Sequence, residues 1–309
     1  MKLQSLPFIL LLTLNCLLAH AQKKADLVIP VLKGSRYQIT LNNAVLEIDP
    51  VMGARVTSLK LDGINFLTGP EINPKYWGSS FWLSPQKEWN DFSHTLDNKP
   101  YIPSIENNVL TLKSQKDTAT GLIFSREISG NQKTNFFTTR YIITNASNEV
   151  RKIAPWEVTR VNVNGLAFFP RGEGDRWGSM ATMADDIDGI TWFKHDATTI
   201  PSKHLKLFSD GKEGWVAQLS NNIIFIKKFP DMALQKAAVS EAEIEIYTNQ
   251  DRTYVEIEAQ GAYETLQPGA SMSWEVSWYI GKLPVNIDPA KGNLALPAYV
   301  RKVINVGNP

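Results

Sequence analysis

The sequence predicts an all-β fold, a large antiparallel sandwich or barrel, from three observations. Apolar and polar residues alternate over many short runs, Asn, Asp and Gly pairs punctuate those runs, and few segments show helical period. Alternation marks a strand half covered by core. Asn, Asp and Gly tolerate the positive φ that tight hairpin turns need. Short, regularly spaced runs with such punctuation indicate a sandwich or barrel.

In chain order the first strands are RYQITL (36–41), AVLEID (44–49) and RVTSLKL (55–61), with Asn42-Asn43 and Asp62-Gly63 as turns. Asn107-Asn108 precedes VLTLKS (109–114); the run at 121–128, FFTTRYIIT (136–144) and WEVTRVNV (156–163) follow. GWVAQLS (214–220) and IIFIKKF (223–229) flank Asn221-Asn222. AEIEIYT (242–248), TYVEIEAQ (253–260) and SMSWEVSWYI (271–280) close the series. No Gly/Ser linker or charge block divides the chain, so residues 22–309 are expected to form one domain. From about Lys282 the tail is richer in Pro and Gly, and is expected to wrap the outside with one helical turn near Tyr299.

Residues 1–21 are set apart as a leader. Lys2, an apolar run from about Leu6 to Leu18, and Ala19-His20-Ala21 form the basic, apolar and A-x-A pattern of a secretory signal, cleaved before Gln22. The run falls short of the roughly 20 residues of a membrane span. An exported protein, periplasmic or secreted and without a membrane anchor, is expected. Cys16 is the only cysteine, so the mature chain holds no disulfide, thiolate metal site or cysteine nucleophile. Removing Lys2 from the 32 Lys and Arg leaves a basic count equal to the 31 Asp and Glu. A neutral chain without a basic run argues against nucleic acid and anionic membrane as partners. It is compatible with a neutral, hydroxyl-rich ligand.

Two stretches could carry chemistry. YWGSSFWLSPQKEWNDF (76–92) holds three Trp, two Phe and one Tyr among polar residues. Six exposed rings would present roughly 900–1,500 Å², more than a soluble monomer leaves bare. Most must pack inward; Trp82 and Trp89, with Gln86 and Glu88, are the candidates for a cleft lining, unless the whole stretch caps the core. In TYVEIEAQ, alternation puts Val255, Ile257 and Ala259 on one face and Glu256, Glu258 and Gln260 on the other. That polar face is either solvated or the floor of a cleft. Two carboxylates about 6.6 Å apart repel by about 2 kcal/mol at an effective dielectric near 20, which favours a shared proton.

The C-terminal run Glu258-Ala259-Gln260, then Leu266-Gln267-Pro268-Gly269, then the strand Trp274 to Ile280, resembles the galactose mutarotases (aldose 1-epimerases). Gly53-Ala54-Arg55 leading into 58–67, and Arg140 to Asn145, resemble that family's early hairpin and central Thr-Asn strand. The resemblance implies a β-supersandwich with a carbohydrate cleft on its concave face and Glu258 as general base. The chain departs from the family where its acid histidine belongs: Ala154 to Arg160 stands there, and no histidine occurs between His94 and His195. A divergent bacterial branch is implied, with His94 and Glu157 as candidate acids.

Around that departure, alternation groups Trp156, Val158, Arg160 and Asn162 on one face, making Trp156 and Arg160 the cleft pair. Glu157 is then either paired with a buried cation or turned to the cleft by a bulge. Arg171 and Arg176, in the Gly-rich loop 168–179, either close the cleft or are solvated. Asp185 to Gly189 fails the calcium-loop pattern and reads as a turn. His195 and His204 lack metal-ligand spacing and read as loop residues, and no phosphate loop, serine elbow or zinc-helix motif is present. No metal or cofactor is expected. The functional expectation is a sugar or glycan ligand, bound by an isomerase-like enzyme, by a non-catalytic recognition protein, or by a glycosidase pairing Glu258 with Glu88 or Glu157, for which carboxylates about 5–10 Å apart are required.

Overall fold

The computed structural model describes residues 26–89 and 96–306, so the leader lies outside the described residues. Its strands form two large sheets, one 11-stranded and one 10-stranded, in which neighbouring strands pair antiparallel. The first sheet runs, in spatial order, Val31–Lys33, Arg36–Leu41, Ala44–Asp49, Arg55–Leu61, Ser79–Ser84, Arg151–Asn162, Tyr254–Gln260, Ile244–Thr248 and Leu205–Ser209, with Ile64–Asn65 added beside Arg55–Leu61 and Glu264–Leu266 beside Arg151–Asn162. The second runs Asp185–Ile187, Ile190–His195, Gly165–Pro170, Trp215–Ser220, Ile223–Lys228, Ser271–Lys282, Phe136–Asn145, Leu122–Asn131, Val109–Ser114 and Tyr101–Glu106. The turn residues behave as their chemistry requires: Asn42, Asp62, Gly63, Asn107, Asn108, Asn221 and Asn222 all have positive φ.

One core lies between the sheets. Phe81, Val255, Ile257 and Ala259 come to it from the first, and Tyr141, Phe225, Val276 and Trp278 from the second. A second cluster covers the far face of the 10-stranded sheet. There Phe168, Trp192, Trp215 and Ile226 meet Leu296, Val300 and Ile304 of the helix Ala295–Val306. Those three helical residues recur every four positions and so share one face. Pro297 sits in the first turn, where its missing N–H removes no helical bond, and Asn293 Oδ1 accepts the Ala295 N–H. The tail thus forms a 12-residue helix where a single turn is expected, because an apolar sheet face needs covering.

This covering also explains the strands that alternation leaves unmarked. Gly165–Pro170 (GLAFFP) is buried at nearly every position, with core on one side and the helix cluster on the other. A strand buried on both faces shows an unbroken apolar run instead of alternation. Phe168 and Phe169 therefore belong to a strand, and the charged loop begins only after Pro170.

Candidate functional site

The site is built on the face of the first sheet that points away from the other sheet. Register sets it. Lys206 stands opposite Tyr247, Tyr247 opposite Glu256, and Glu256 opposite Arg160. In the adjacent rows Glu245 opposes Glu258, and Gln260 opposes Trp156, which in turn opposes Trp82. Directly paired antiparallel residues share a face, so five neighbouring strands deliver a polar and aromatic floor. Tyr76, Trp82, Gln86, Trp156, Ser179, His204, Leu205, Lys206, Tyr247, Tyr254 and Glu256 enclose a cleft of about 430 Å³ over it. That volume lies within the range of small-ligand sites.

Beneath the cleft is a charge cluster. Lys206 Nζ lies 2.5 Å from Glu245 Oε2 and 3.1 Å from Glu258 Oε2. Trp156 Nε1 donates to the same Glu258 oxygen at 2.8 Å. Two carboxylates directly opposite one another would repel; the ammonium between them relieves this. Burial alone would lower Lys206, but Glu258 and Glu245 hold it well above its ordinary value, so it stays a cation. Burial pushes Glu245 well above the carboxylate range, against the pull of Lys206; Gln260 Nε2 and the Ala242 N–H donate to its Oε1.

Glu256 is the carboxylate that reaches the cleft. Arg160 Nε donates to its Oε1 at 2.8 Å, and Arg160 also donates to Ser80 Oγ. Burial raises Glu256 to about 7, with Arg160 opposing and Glu258 adding to the shift. Tyr247 is its cross-strand neighbour, and burial, Glu256 and Glu258 raise that phenol to about 12. Tyr247 Oη lies 2.5 Å from His204 Nδ1 at the rim. Rings complete the walls: Trp82 meets Tyr76 and Trp156 edge-on, and the Arg160 guanidinium lies 5.0 Å from the Trp82 ring.

Several buried polar atoms around this floor have no hydrogen-bond partner among the described residues: Trp82 Nε1, Arg160 Nη2, Glu258 Oε1 and Gln260 Oε1. Unmet donors and acceptors are rare and unfavourable in a protein interior, by about 1–3 kcal/mol each. These four lie around and beneath the cleft, and others lie elsewhere among the described residues. No group of three His, Cys, Asp or Glu among the described residues could hold a metal ion.

The structure sorts the residues expected from sequence. Trp82, Gln86, Trp156 and Glu256 line the cleft, with Arg160 and Gln260 directly behind them. Glu258 occupies the expected face but is fully buried, sealed beneath Trp156 and Lys206, and so does not reach the cleft surface. Glu157 belongs to the opposite face: it pairs with Lys227 at 2.9 Å between the sheets, both wholly buried, and accepts from Tyr141 and Trp278. Its bulge-to-cleft alternative is excluded by the unbroken Arg151–Asn162 register. Glu88 is exposed outside the lining, accepting from Tyr263. Arg171 pairs with Asp186 and Asp175, and Arg176 pairs with Asp186 and donates to Ala181 and Ala184, so both fasten their own loop. The side chain of Trp89, and all of His94, lie outside the described residues. In the aromatic stretch, Trp77 and Phe81 are buried in the core while Tyr76 and Trp82 face the cleft.

Sequence reasoning passed over Tyr76, Ser179, His204, Lys206, Tyr247 and Tyr254. Alternation in 242–248 already grouped Glu245 with Tyr247, and that signal could have found Tyr247. His204 is not a bystander in a loop: it joins the cleft through Tyr247.

Solved structures share this architecture at low identity. The Slr1438 protein from Synechocystis sp. PCC 6803 is 13% identical, with a TM-score of 0.59 over 82% of this chain and 98% of that one. The galactose mutarotase related enzyme from Lactobacillus acidophilus is 14% identical, with a TM-score of 0.57 over 83% and 99%. A galactose mutarotase-like protein from Clostridium acetobutylicum is 13% identical, with a TM-score of 0.54 over 84% and 100%. The fold is therefore galactose mutarotase-like, as the C-terminal motifs implied. No curated protein matches in sequence. A family model described as a domain of unknown function, DUF4380, matches residues 86–281, which takes in Lys206, Tyr247 and Glu256 and leaves Tyr76 and Trp82 just before it. With that match spanning well over half of its length, the chain belongs to the DUF4380 family, carried on a galactose mutarotase-like fold.

Proposed function

We propose that this exported protein binds a neutral saccharide in the cleft and catalyses proton transfer on it, with Glu256 as the base. One observation carries the reading: the cleft sets the aromatic walls Tyr76, Trp82 and Trp156 against the polar groups of Lys206, Tyr247, His204 and Glu256. A pyranose offers both complements, an apolar C–H face for a ring and hydroxyls for polar groups. The galactose mutarotase-like scaffold of the neighbouring structures supports the choice of ligand class by analogy of fold.

Glu256 replaces Glu258 in the catalytic role because Glu258 is held by both Trp156 and Lys206. A group poised near neutrality is suited to acid–base work, and Glu256 at about 7 is poised there. In hemiacetal opening its carboxylate would take the anomeric hydroxyl proton. The bond from the anomeric carbon to the ring oxygen would break with its electron pair on that oxygen. Tyr247, backed by His204, would supply the proton the oxygen then needs. The glycosidase alternative loses support, since neither Glu88 nor Glu157 shares the cleft. Non-catalytic recognition is the second reading, favoured by the burial of Glu258 beneath Trp156 and Lys206.

The test follows anomer interconversion by exchange NMR for a panel of aldoses. Glu256→Gln is expected to retain binding and lower the exchange rate by about 10²–10⁴-fold, the usual worth of a general base. Equal rates in the two proteins would leave the recognition reading in place.

A further inference from the structure

Beyond the cleft, on the same face, Trp177 lies flat on Phe208. The ring centroids are 3.7 Å apart and the planes only 3° from parallel. Trp177 is 42% exposed, so the stack presents a broad indole surface to solvent. Its position is fixed. Trp177 and Phe208 exchange both backbone hydrogen bonds, at 3.0 and 2.9 Å. Gly178 follows at φ +97°, where a Cβ would stand 2.4 Å from the Lys206 carbonyl oxygen, so only glycine lets the loop lie this close. Ser179 Oγ accepts the Lys206 N–H, and Arg176 ties the loop to Asp186, Ala181 and Ala184.

The platform and the cleft are continuous. Phe208 and Lys206 are two residues apart on one strand, hence on one face and about 6.6 Å apart. The Lys206 ammonium lies 5.2 Å from the Phe208 ring and 4.8 Å from the Trp156 ring, so it is the shared wall between the two. A rigid ring on a tethered loop loses little entropy on binding. Its single flat face, bordered by Ser179 and Lys206, matches one sugar residue better than a protein surface of many side chains.

We infer that the Trp177–Phe208 stack is a second saccharide subsite, and that the ligand is an oligosaccharide or a chain end spanning cleft and platform. The inference rests on the saccharide reading of the cleft and extends it from one residue to several.

Isothermal titration with mono-, di- and trisaccharide series tests it: glucose, cellobiose and cellotriose; maltose and maltotriose; xylose, xylobiose and xylotriose; mannose, mannobiose and mannotriose; galactose and galactobiose. In the series that binds, affinity is expected to rise about tenfold when a sugar residue reaches the stack. In Trp177→Ala the ratio of longest to shortest ligand should fall to about one, and Trp177→Tyr should restore it. A length-independent affinity, or an intact ratio in Trp177→Ala, would overturn the second subsite while leaving the cleft reading standing. Binding by no saccharide would overturn both. A change of oligomeric state in Trp177→Ala, with the ratio intact, would assign the platform to a second copy of the chain.

Discussion

Glu256 and Glu258 lie two positions apart on one strand, yet their neighbours give them different work. Glu258 is buried with Lys206 and Trp156 both on its Oε2; Glu256 keeps one oxygen free of Arg160 and faces the cleft. The rise of Glu256 to about 7 has two consequences of opposite use. Between about pH 4.5 and 7 the folded state holds a proton that the unfolded chain has released. This group's contribution to stability is therefore complete below 4.5 and lost as pH rises towards 7. As a base, by contrast, it gains strength over that same interval. The rate of anomer exchange should climb with pH to a plateau with its midpoint near 7, and Glu256→Gln should flatten the profile; NMR exchange rates between pH 5 and 9 check this. Period-2 alternation sufficed to place both carboxylates on the cleft face. It could not choose between them, because the choice depends on Lys206, some fifty residues away in sequence and set against Glu258 only by the pairing of three strands.

At the scale of elements, what covers each face decides what the sequence can disclose. Strands with one open face, such as Ala44–Asp49 and Leu122–Asn131, alternate strictly and are legible. Ser79–Ser84 and Gly165–Pro170 are covered on both faces and are not. The helix Ala295–Val306 supplies part of that cover, and Arg301 Nε and Nη2 clamp it to Glu213 at 2.8 Å each. Leu296 is completely buried in that contact. Leu296→Ala should lower unfolding stability by about 2–5 kcal/mol, the range for truncating a buried leucine, measured by urea denaturation. Because the helix lies against the other sheet, the saccharide affinity of the folded variant should not follow the loss.

For the whole molecule, the two faces of the first sheet divide the labour. The inner face joins the sheets through apolar packing and one buried pair, Glu157 with Lys227, to which Thr159 also contributes an acceptor. A charge so deep is tolerated only with its partner and further hydrogen bonds, and Tyr141 and Trp278 supply them. The outer face holds the cleft and the Trp177 platform. The broad fold was readable from turn pairs, alternation and the C-terminal Glu-x-Gln and Pro-Gly pattern. The site was half readable: Trp156, Arg160 and Glu256 follow from alternation and Trp82 from the aromatic content of 76–92, whereas His204, Tyr76 and Ser179 arrive by loops whose paths no local pattern records.

The central claim is that this cleft holds a saccharide against its aromatic walls. The direct measurement is a titration of intrinsic tryptophan fluorescence with a panel of mono- and oligosaccharides, repeated in Trp82→Ala. Saturable quenching by at least one sugar, weakened tenfold or more in the variant, is the predicted result. A panel with no binder, or a binder indifferent to Trp82→Ala, would contradict the account.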